Sequence, residues 1–207
     1  MKLIYPLFSI LFLPQILIAE ITFDLYGGHS NTKQTNVDIN LLDYVPAKTA
    51  SEPINGSSNT YGLRVVGWLS SWVGIGADLY TFHANSATVD INPLVVSGSI
   101  MFRYPDDTWK PYIGLGLSSS ACDIDISRES DLGVSISETT QNSYGWDVST
   151  GILWSINRYI SLFAEYRYSH ISINLGDEKF YESNTKVDAT LNTNHYLIGV
   201  SFPYWTD

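Results

Sequence analysis

Short segments of this chain alternate residue by residue between apolar and polar side chains, and their charges fall on the polar side. In the first such segment, Ile21, Phe23 and Leu25 alternate with Thr22 and Asp24. Because successive side chains of a β-strand point to opposite faces, the pattern predicts strands with one apolar face and one sparsely charged face. Seven strand-borne charges share the polar face: Asp24, Arg64, Asp78, Arg103, Asp147, Glu165 and Arg167.

The connections between these segments indicate how the strands are arranged. Alternation and turn-forming residues together predict eight strands, at 20–29, 59–69, 72–83, 93–104, 109–120, 143–156, 158–172 and 193–204. Long connections at 30–58, 84–92, 121–142 and 173–192 alternate with short ones, which is typical of a barrel threaded through a membrane. The predicted fold is all-β, an eight-stranded antiparallel up-and-down transmembrane β-barrel, because each strand reaches the roughly 9–11 residues that a tilted membrane pass needs.

A soluble lipocalin with its apolar face inward would alternate in the same way, but three features favour lipid contact for the apolar face. Seven charges over eight strands are few for a surface that faces water. Small residues crowd the charged face, as a narrow lumen requires: Gly62, Gly74, Gly76, Gly114, Gly116, Gly145, Gly151 and Gly199. Aromatic residues lie towards the strand ends of the apolar face, as at water–lipid boundaries: Phe23, Tyr61, Phe102, Tyr104, Trp146, Trp154, Tyr168, Tyr196 and Tyr204.

The seven charges would then lie inside the barrel, where an unpaired charge is costly. Arginine can bridge two carboxylates, so we expect a connected network, which Lys110 and His195 extend because they share the inward parity. Two interpretations of the lumen remain open, a conducting or gated pore and a closed polar plug. The interior of an eight-stranded barrel is just filled by side chains, which favours the plug.

Residues 1–19 begin with a basic residue, continue with an apolar run and end in Ala19, which predicts a secretory signal peptide. Pro6 and Pro14 interrupt the run, so it lacks the roughly 20 unbroken apolar residues of a membrane helix. Residues 20–207 then form one barrel domain. The net charge of −10 gives no electrostatic basis for binding nucleic acid, and Cys122 is the one cysteine of the chain, which excludes an intramolecular disulfide.

Four stretches resemble the outer-membrane β-barrel family related to the OmpA transmembrane domain, with its opacity-type eight-stranded barrels. They are KPYIGLGL at 110–117, LFAEYRYSH at 162–170, HYLIGVSF at 195–202 and IMFRYP at 100–105. The resemblance covers the whole of residues 20–207 and implies a place in the outer membrane of a Gram-negative bacterium. It implies little about activity, because the family includes structural anchors, adhesins and uncharacterised proteins.

The last predicted strand is similar to the signal by which such barrels are recognised for insertion. Gly199 is followed by aromatic residues at the third and fifth positions, Phe202 and Tyr204. Leu197 departs from the usual pattern, which has a polar residue there. The resemblance implies that barrel-assembly machinery binds this strand during insertion.

One motif permits an enzymatic alternative. His170 and Ser172 share one strand face, and their parity places both towards lipid, as in outer-membrane lipid A deacylases. Such a pair needs a third group to orient the histidine, and Glu178 or Glu182 would have to supply it. His-x-Ser pairs arise easily by chance, so we expect no catalytic residues and no enzymatic activity.

Other candidate binding residues are weaker. His29 and His83 lie on the outward parity and could meet anionic groups of lipopolysaccharide when protonated. Asp123 and Asp125 have a spacing found in calcium loops, but the glycine that such a loop needs does not follow at the required offset. We therefore expect no metal site and no cofactor.

These observations predict a non-enzymatic outer-membrane barrel with an envelope-structural or surface-interaction role. The expected partners are outer-membrane lipid and lipopolysaccharide, the barrel-assembly machinery, and an extracellular ligand bound by the long loops. A lipid A-modifying enzyme and a small pore remain as alternatives.

Overall fold

A computed structural model describes residues 19–41, 48–85, 89–126, 136–180 and 183–205. Residues 1–18 of the predicted signal peptide, 1–19, lie outside the described residues. The strands are β1 (Glu20–Leu41), β2 (Lys48–Trp68), β3 (Val73–Thr81), β4 (Ala84–Asn85), β5 (Val89–Arg103), β6 (Trp109–Ile126), β7 (Ile136–Ser155), β8 (Ser161–Phe180) and β9 (Ser183–Trp205).

The strands close into a single antiparallel barrel. Each strand pairs with its neighbours in sequence, β1 pairs with β9, and β3 pairs with β5, which closes the ring. The two-residue β4 follows β3 and pairs with β5 just beyond it, so the part of the chain that is described forms eight barrel strands. The predicted eight-stranded up-and-down barrel is confirmed. None of the described residues belongs to a helix long and apolar enough to cross a bilayer.

Burial alternates along the strands as the sequence predicts. Phe23 and Leu25 are 50% and 57% exposed, whereas Asp24 between them is 4% exposed. The apolar residues therefore face outward and the polar residues face the lumen, which excludes the lipocalin arrangement. Strand register places opposite charges side by side, because Arg64 lies across from Asp24 on one side and Asp78 on the other.

Three short turns and both ends of the barrel chain lie at one end, which we call the turn end; the opposite end is the hairpin end. Side chains cap all three turns, and in the turn between β2 and β3 the Ser70 hydroxyl accepts from the Trp72 and Val73 N–H groups at 3.4 and 3.2 Å. Asp106 Oδ1 accepts hydrogen bonds from the backbone N–H groups of Thr108 and Trp109, both at 2.9 Å. Asn157 Oδ1 accepts them from Tyr159 and Ile160 at 2.8 and 3.0 Å. Asx capping of this kind explains why these short segments can reverse the chain.

The predicted loops at 30–58, 84–92, 121–142 and 173–192 are wrong for most of their length. The strands β1, β2, β5, β6, β7, β8 and β9 continue into them, and β4 lies in the second. Within these four stretches only 42–47, 86–88, 127–135 and 181–182 fall outside the described residues. The physical reason is that alternation continues there: Val37, Ile39 and Leu41 alternate with polar residues, although Ser, Thr and Asn dominate the composition. Threonine also suits a strand well.

At the hairpin end the barrel divides into two sheets. The β7–β8 ladder ends at Tyr144 and Ser172, and the β2–β3 ladder ends at Tyr61 and Thr81. Beyond these points β2, β1, β9 and β8 continue as one sheet, the four-stranded extension, and β5, β6 and β7 continue as another, the three-stranded extension. A register shift at Ser120/Cys122 adjoins the point of division, and shifts at Thr32/Thr35 and Leu175/Glu178 lie beyond it in the extensions. Such bulges bend and twist strands at barrel rims.

Candidate functional site

A chain of ion pairs crosses the middle of the lumen. Arg64 binds Asp24 at 2.9 Å and Glu165 at 2.6 Å. Arg167 binds the other oxygen of Glu165 at 2.8 Å and Asp78 at 2.6 Å. Glu165 thus joins the two arginines, and strands β1, β2, β3 and β8 are connected across the barrel. All five side chains are buried, so the pairs are poorly screened by water or salt.

Tyrosines that the sequence analysis did not assign complete this network. The Tyr26 hydroxyl donates to Asp78 at 2.5 Å, and the Tyr112 hydroxyl donates to Glu165 Oε2 at 2.7 Å. The Arg167 guanidinium also donates to the Tyr26 oxygen at 3.2 Å. These hydrogen bonds to Asp78 and Glu165 offset part of the cost of removing their charges from water. Tyr26 and Tyr112 have even residue numbers, like the other lumen-facing residues of β1 and β6, and this pattern could have placed both rings in the lumen.

Two of the seven predicted charges lie outside the network. Asp147 accepts a hydrogen bond from Ser97 at 2.7 Å. Arg103 lies nearer the turn end, where it donates to both oxygens of Glu20 at 3.2 and 2.5 Å, and its guanidinium carbon is 3.8 Å from the Trp68 ring centre. Glu20 was missed because it is the first strand residue, although it shares the parity of Asp24.

The lumen is filled on both sides of the ion pairs. Towards the turn end, Val66, Trp68, Met101 and Tyr112 form an apolar cluster inside the barrel. The void lined by this cluster and the Arg64 side chain has a volume of about 10 Å³, which is room for a single water rather than a column. The described lumen is therefore a plug of side chains.

His195 and Lys110, which share the inward parity, occupy different levels. His195 is fully buried on the hairpin side of Arg167, where its ring nitrogens lie 3.1 Å from the Thr60 hydroxyl and 2.9 Å from the Ser169 hydroxyl. Lys110 is partly exposed and lines an open cavity of about 340 Å³ at the turn end with Glu20. Neither residue extends the central ion-pair network.

The outer wall carries an apolar band between two groups of aromatic rings. At mid-height lie aliphatic residues such as Ile75, Ile100 and Leu115, each more than half exposed. Aromatic residues near the turn end are Trp72, Phe102, Tyr104, Trp109, Trp154, Tyr159 and Tyr204, and those near the hairpin end are Tyr61, Tyr144, Trp146, Tyr166, Tyr168 and Tyr196. In the candidate insertion signal, Phe202 and Tyr204 are exposed at 40% and 65%, and Gly199 has lumen parity. This wall has the polarity profile of a bilayer.

The candidate pair His170 and Ser172 lies on the outer wall near the hairpin end, as its parity predicts. His170 Nδ1 is 2.7 Å from Asn192 Oδ1, and its ring stacks on Trp146 with centres 5.5 Å apart. Within the described side chains, His170 is hydrogen-bonded to Asn192 and not to Ser172. The side chains of Glu178 and Glu182 lie outside the described part of the chain.

The other candidate ligands give no shared site. His29 is bonded to Ser57 at 2.5 Å, and His83 contacts Asn92. The side chains of Asp123 and Asp125 fall outside those described. Where side chains are described, no group of three or more His, Cys, Asp or Glu residues is arranged to hold a metal ion.

Comparison with known families agrees with this geometry. The sequence profile of the outer membrane protein beta-barrel domain matches residues 18–202. The chain belongs to this family. Its place is therefore the outer membrane of a Gram-negative bacterium, where the short turns of such barrels face the periplasm and the hairpin end faces outward. The sequence has no significant match among curated proteins.

Solved outer-membrane barrels share the fold. Neisserial surface protein A is 15% identical, with a TM-score of 0.60 over 88% of this chain and 96% of that one. OprG from Pseudomonas aeruginosa is 17% identical, with a TM-score of 0.57 over 89% and 96%. The outer membrane protease OmpT of Escherichia coli is 7% identical, with a TM-score of 0.53 over 91% and 98%. At these identities the likeness concerns the fold alone.

Proposed function

We propose that this family member is a non-enzymatic surface protein, in which a closed barrel anchors two projecting sheets that contact molecules outside the cell. The observation that carries the proposal is the continuation of seven strands beyond the level at which the barrel divides. Ladders that extend this far present a broad, ordered surface, whereas a purely structural anchor needs only short connections.

The filled lumen supports an anchoring role for the barrel. The Arg64 and Arg167 guanidinium groups are tied to three carboxylates and are almost inaccessible to solvent. A conducting pore would need a continuous polar path past them. Purified protein in planar bilayers should therefore give no stable conductance steps. Steps whose size changes in Arg64→Ala or Arg103→Ala would instead support the pore alternative.

The expected partners follow from this arrangement. Outer-membrane lipid and lipopolysaccharide surround the wall, the barrel-assembly machinery binds the β9 strand during insertion, and an extracellular ligand binds the extensions. The name of Neisserial surface protein A is compatible with a surface role, although that relative shares only the fold.

Shortened hairpins test the proposal. Replacing 122–140 by an Asn-Gly turn removes most of the β6–β7 hairpin of the three-stranded extension, and the same replacement of 176–186 shortens the β8–β9 hairpin of the four-stranded extension. Such turns close two-residue hairpins well. We expect cells carrying either shortened form to lose adhesion to a panel of immobilised serum and extracellular-matrix proteins, while the barrel keeps its heat-dependent shift in gel mobility. Full adhesion by both shortened forms would argue against a role for the extensions.

The lipid A alternative makes a separate prediction. Overexpression should leave the lipid A mass spectrum unchanged, because Ser172 is not engaged by His170. Loss of an acyl chain that Ser172→Ala restores would establish the enzyme instead.

A further inference from the structure

An open groove in the outer wall of the barrel runs across β1, β9 and β8. Its volume is about 620 Å³, and its outward side chains are those of Leu25, Leu162, Ile198 and Val200. Gly27, which has no side chain, also lines it and leaves a gap beside Ile198, its partner on β9. The groove, which we call the wall groove, is therefore an apolar recess on the side of the barrel that meets lipid.

Polar and aromatic side chains cover the same strands next to the wall groove, on its hairpin side. They stand in rows, because residues that pair across strands have neighbouring side chains on one face. The row of Gly27 and Ile198 is followed towards the hairpin end by the row of His29 and Tyr196. We call this set the head patch, and its residues are His29, Asn31, Trp146, Tyr166, Tyr168, His170, Asn192, Asn194 and Tyr196. The wall groove and the head patch are thus continuous along the strands.

Hydrogen bonds orient two asparagines of the head patch. Asn192 Oδ1 accepts from the Tyr168 hydroxyl at 2.9 Å and lies 2.7 Å from His170 Nδ1, which donates because an amide oxygen can only accept. Asn194 Oδ1 accepts from the Tyr166 hydroxyl at 2.6 Å. Both amide oxygens are therefore engaged within the wall, and the described side chains provide no acceptor for the two NH₂ groups. Donors that are fixed before binding lower the entropic cost of holding a ligand.

Aromatic rings provide flat faces beside these donors. The ring centre of Trp146 lies 5.5 Å from those of Tyr168 and His170, and the ring centres of Tyr166 and Tyr196 are also 5.5 Å apart. The face of an aromatic ring is electron-rich, so it attracts the C–H groups of a sugar ring. Amide donors next to ring faces therefore suit a sugar, whose hydroxyl oxygens accept hydrogen bonds.

The charge of this part of the wall favours an anionic ligand. Lys33 is exposed and follows Thr32, which pairs with Thr193, so it adjoins the outer edge of the head patch. The described outward side chains of β1, β8 and β9 include this lysine and two histidines, and none of them is a carboxylate. Cationic side chains at a membrane surface are attracted to anionic headgroups. A phosphorylated sugar would thus bind better than a neutral one.

We propose that the wall groove and the head patch together bind one molecule of lipid A, the acylated and phosphorylated sugar part of lipopolysaccharide. An acyl chain lies in the groove beside Gly27, the sugars lie on the head patch, and a phosphate lies near Lys33. An apolar recess below a donor-rich patch matches an amphiphile that lies along the wall, whereas a soluble glycan would leave the groove unfilled. The inference rests on the part of the proposed function that surrounds the wall with lipopolysaccharide, and it names one specific site there.

Native mass spectrometry of the whole barrel protein in detergent tests the binding. The probes, at equal concentration, are bisphosphorylated lipid A, its fully deacylated sugar and phosphatidylglycerol. We expect one molecule of lipid A to stay bound, about tenfold or more tightly than either other probe. Equal binding of phosphatidylglycerol would show an unspecific lipid layer and overturn the site. Equal binding of the deacylated sugar would overturn the role of the wall groove.

Two glycine variants compare the wall groove with a control position. Gly27→Val fills the groove, and a Cβ at Gly27 would lie 3.3 Å from the Tyr61 ring, which is exposed and can move. Gly98→Val adds the same side chain on β5, where a Cβ would meet nothing within 4 Å. Gly27→Val should weaken lipid A binding by about tenfold or more, and Gly98→Val should leave it unchanged. Undiminished binding by Gly27→Val, in a barrel that keeps its heat-dependent gel shift, would contradict the proposal.

Substitutions in and beside the head patch test recognition of the sugar and of the phosphate. Asn194→Asp keeps the acceptor for the Tyr166 hydroxyl but replaces the NH₂ donor, so it should weaken lipid A binding by about tenfold. Lys33→Gln should weaken bisphosphorylated lipid A by about fivefold and dephosphorylated lipid A hardly at all. Arg158→Gln, which removes an exposed cation at the turn end, should change neither.

Three outcomes would overturn the site or separate it from the proposed function. Undiminished binding in both Asn194→Asp and Lys33→Gln would overturn the head patch. A dimer in sedimentation that Gly27→Val makes monomeric would assign the wall groove to a second copy of the chain instead of lipid A. If lipid A fails these tests while the shortened hairpins lose adhesion, the lipid site is wrong and the surface role of the extensions stands.

Discussion

The membrane-spanning part of the barrel and its outward extensions are built from the same strands but are held in different ways. In the spanning part, each strand has two partners, and inward charges such as Arg64 and Glu165 bind across the lumen. In the extensions, the outer parts of β7 and β8 each pair with one neighbour in the described ladders. The closed barrel is therefore held together by side-chain contacts within the lumen as well as by strand pairing.

The difference in strand pairing and lumen contacts explains why the spanning part and the extensions suit different tasks. A closed wall with a filled lumen leaves few groups free to recognise anything, and it tolerates little change inside. In an extension, the outer parts of β7 and β8 leave one strand edge without a partner in the described ladders, and such edges can bind other chains. Four substitutions test whether the spanning part and the extensions differ in this way, and their expected costs in stability decrease in turn.

The largest effect is expected at the centre of the ion pairs. Glu165→Leu leaves Arg64 and Arg167 without the carboxylate that joins them, so the free energy of unfolding should fall by about 3–5 kcal/mol. The measurement is urea unfolding in detergent micelles. The comparison change in an extension, Lys33→Leu at an exposed side chain of β1, should shift the free energy of unfolding by less than about 0.5 kcal/mol. Equal losses would mean that the two regions do not differ in this way.

Two glycines compare the inside and the outside of the same wall. A Cβ at Gly151 would lie 2.6 Å from both the Ala164 carbonyl oxygen and the Tyr112 ring, whereas a Cβ at Gly98 would meet nothing within 4 Å. Gly151→Ala should therefore cost about 1–3 kcal/mol through overpacking. Gly98→Ala should be neutral or stabilising by up to about 1 kcal/mol. Thermal unfolding of the two variants checks this, and a reversed order would argue against a crowded lumen.

The ion pair at the turn end should matter less than those in the middle. Arg103→Lys loses one of two hydrogen bonds to Glu20 and the stacking on Trp68, which should cost about 1 kcal/mol. Urea unfolding in detergent micelles measures this loss in the free energy of unfolding. A loss of stability as large as that of Glu165→Leu would show that the ion pair at the turn end is as well shielded from water as those in the middle of the lumen.

The smallest effect on stability is expected in the exposed turn between β5 and β6. Hydrogen bonds from the Trp109 and Thr108 backbone amides hold the pKa of Asp106 below its ordinary value of 3.8. Because the folded-state pKa is the lower one, the contribution to stability is present at neutral pH and is lost as pH falls through that pKa. The Thr108 and Trp109 amide resonances should follow this titration in an acid series of NMR spectra. Asp106→Asn should abolish the titration, and persistence of the same titration would assign it to another group.

The alternation in the sequence was enough to predict the fold, the number of strands and the direction of the side chains. It placed Asp24, Arg64 and Glu165 inside because residue parity is a local property. It did not predict partners, because these depend on register: Arg103 binds Glu20 instead of joining the central network. Tyr112 was missed since a tyrosine suits either face of such a wall, and Tyr26, on the polar side of the first segment, was given no partner.

The ends of the strands were predicted poorly, for a different reason. Serine, threonine and asparagine were read as loop residues, and the weaker alternation of Ile124 and Ile126 with aspartates was given too little weight. Residue composition indicates contact with water, whereas apolar–polar alternation indicates backbone geometry. A strand that leaves the membrane keeps its extended backbone while its faces become polar. The division of the barrel into two sheets depends on which ladders end first, and no local pattern encodes that.

Spin labels on the outward residues of β6 show which face of the wall meets lipid. In a Cys122→Ser background, labels at Trp109, Leu115 and Ala121 sample the turn end, the middle of the apolar band and the start of an extension, in protein reconstituted into bilayers. We expect oxygen to relax the label at Leu115 most strongly and a water-soluble nickel chelate to relax the label at Ala121 most strongly, with Trp109 intermediate. Strong relaxation of the Leu115 label by the nickel chelate would place the apolar face in water and contradict a membrane-spanning barrel.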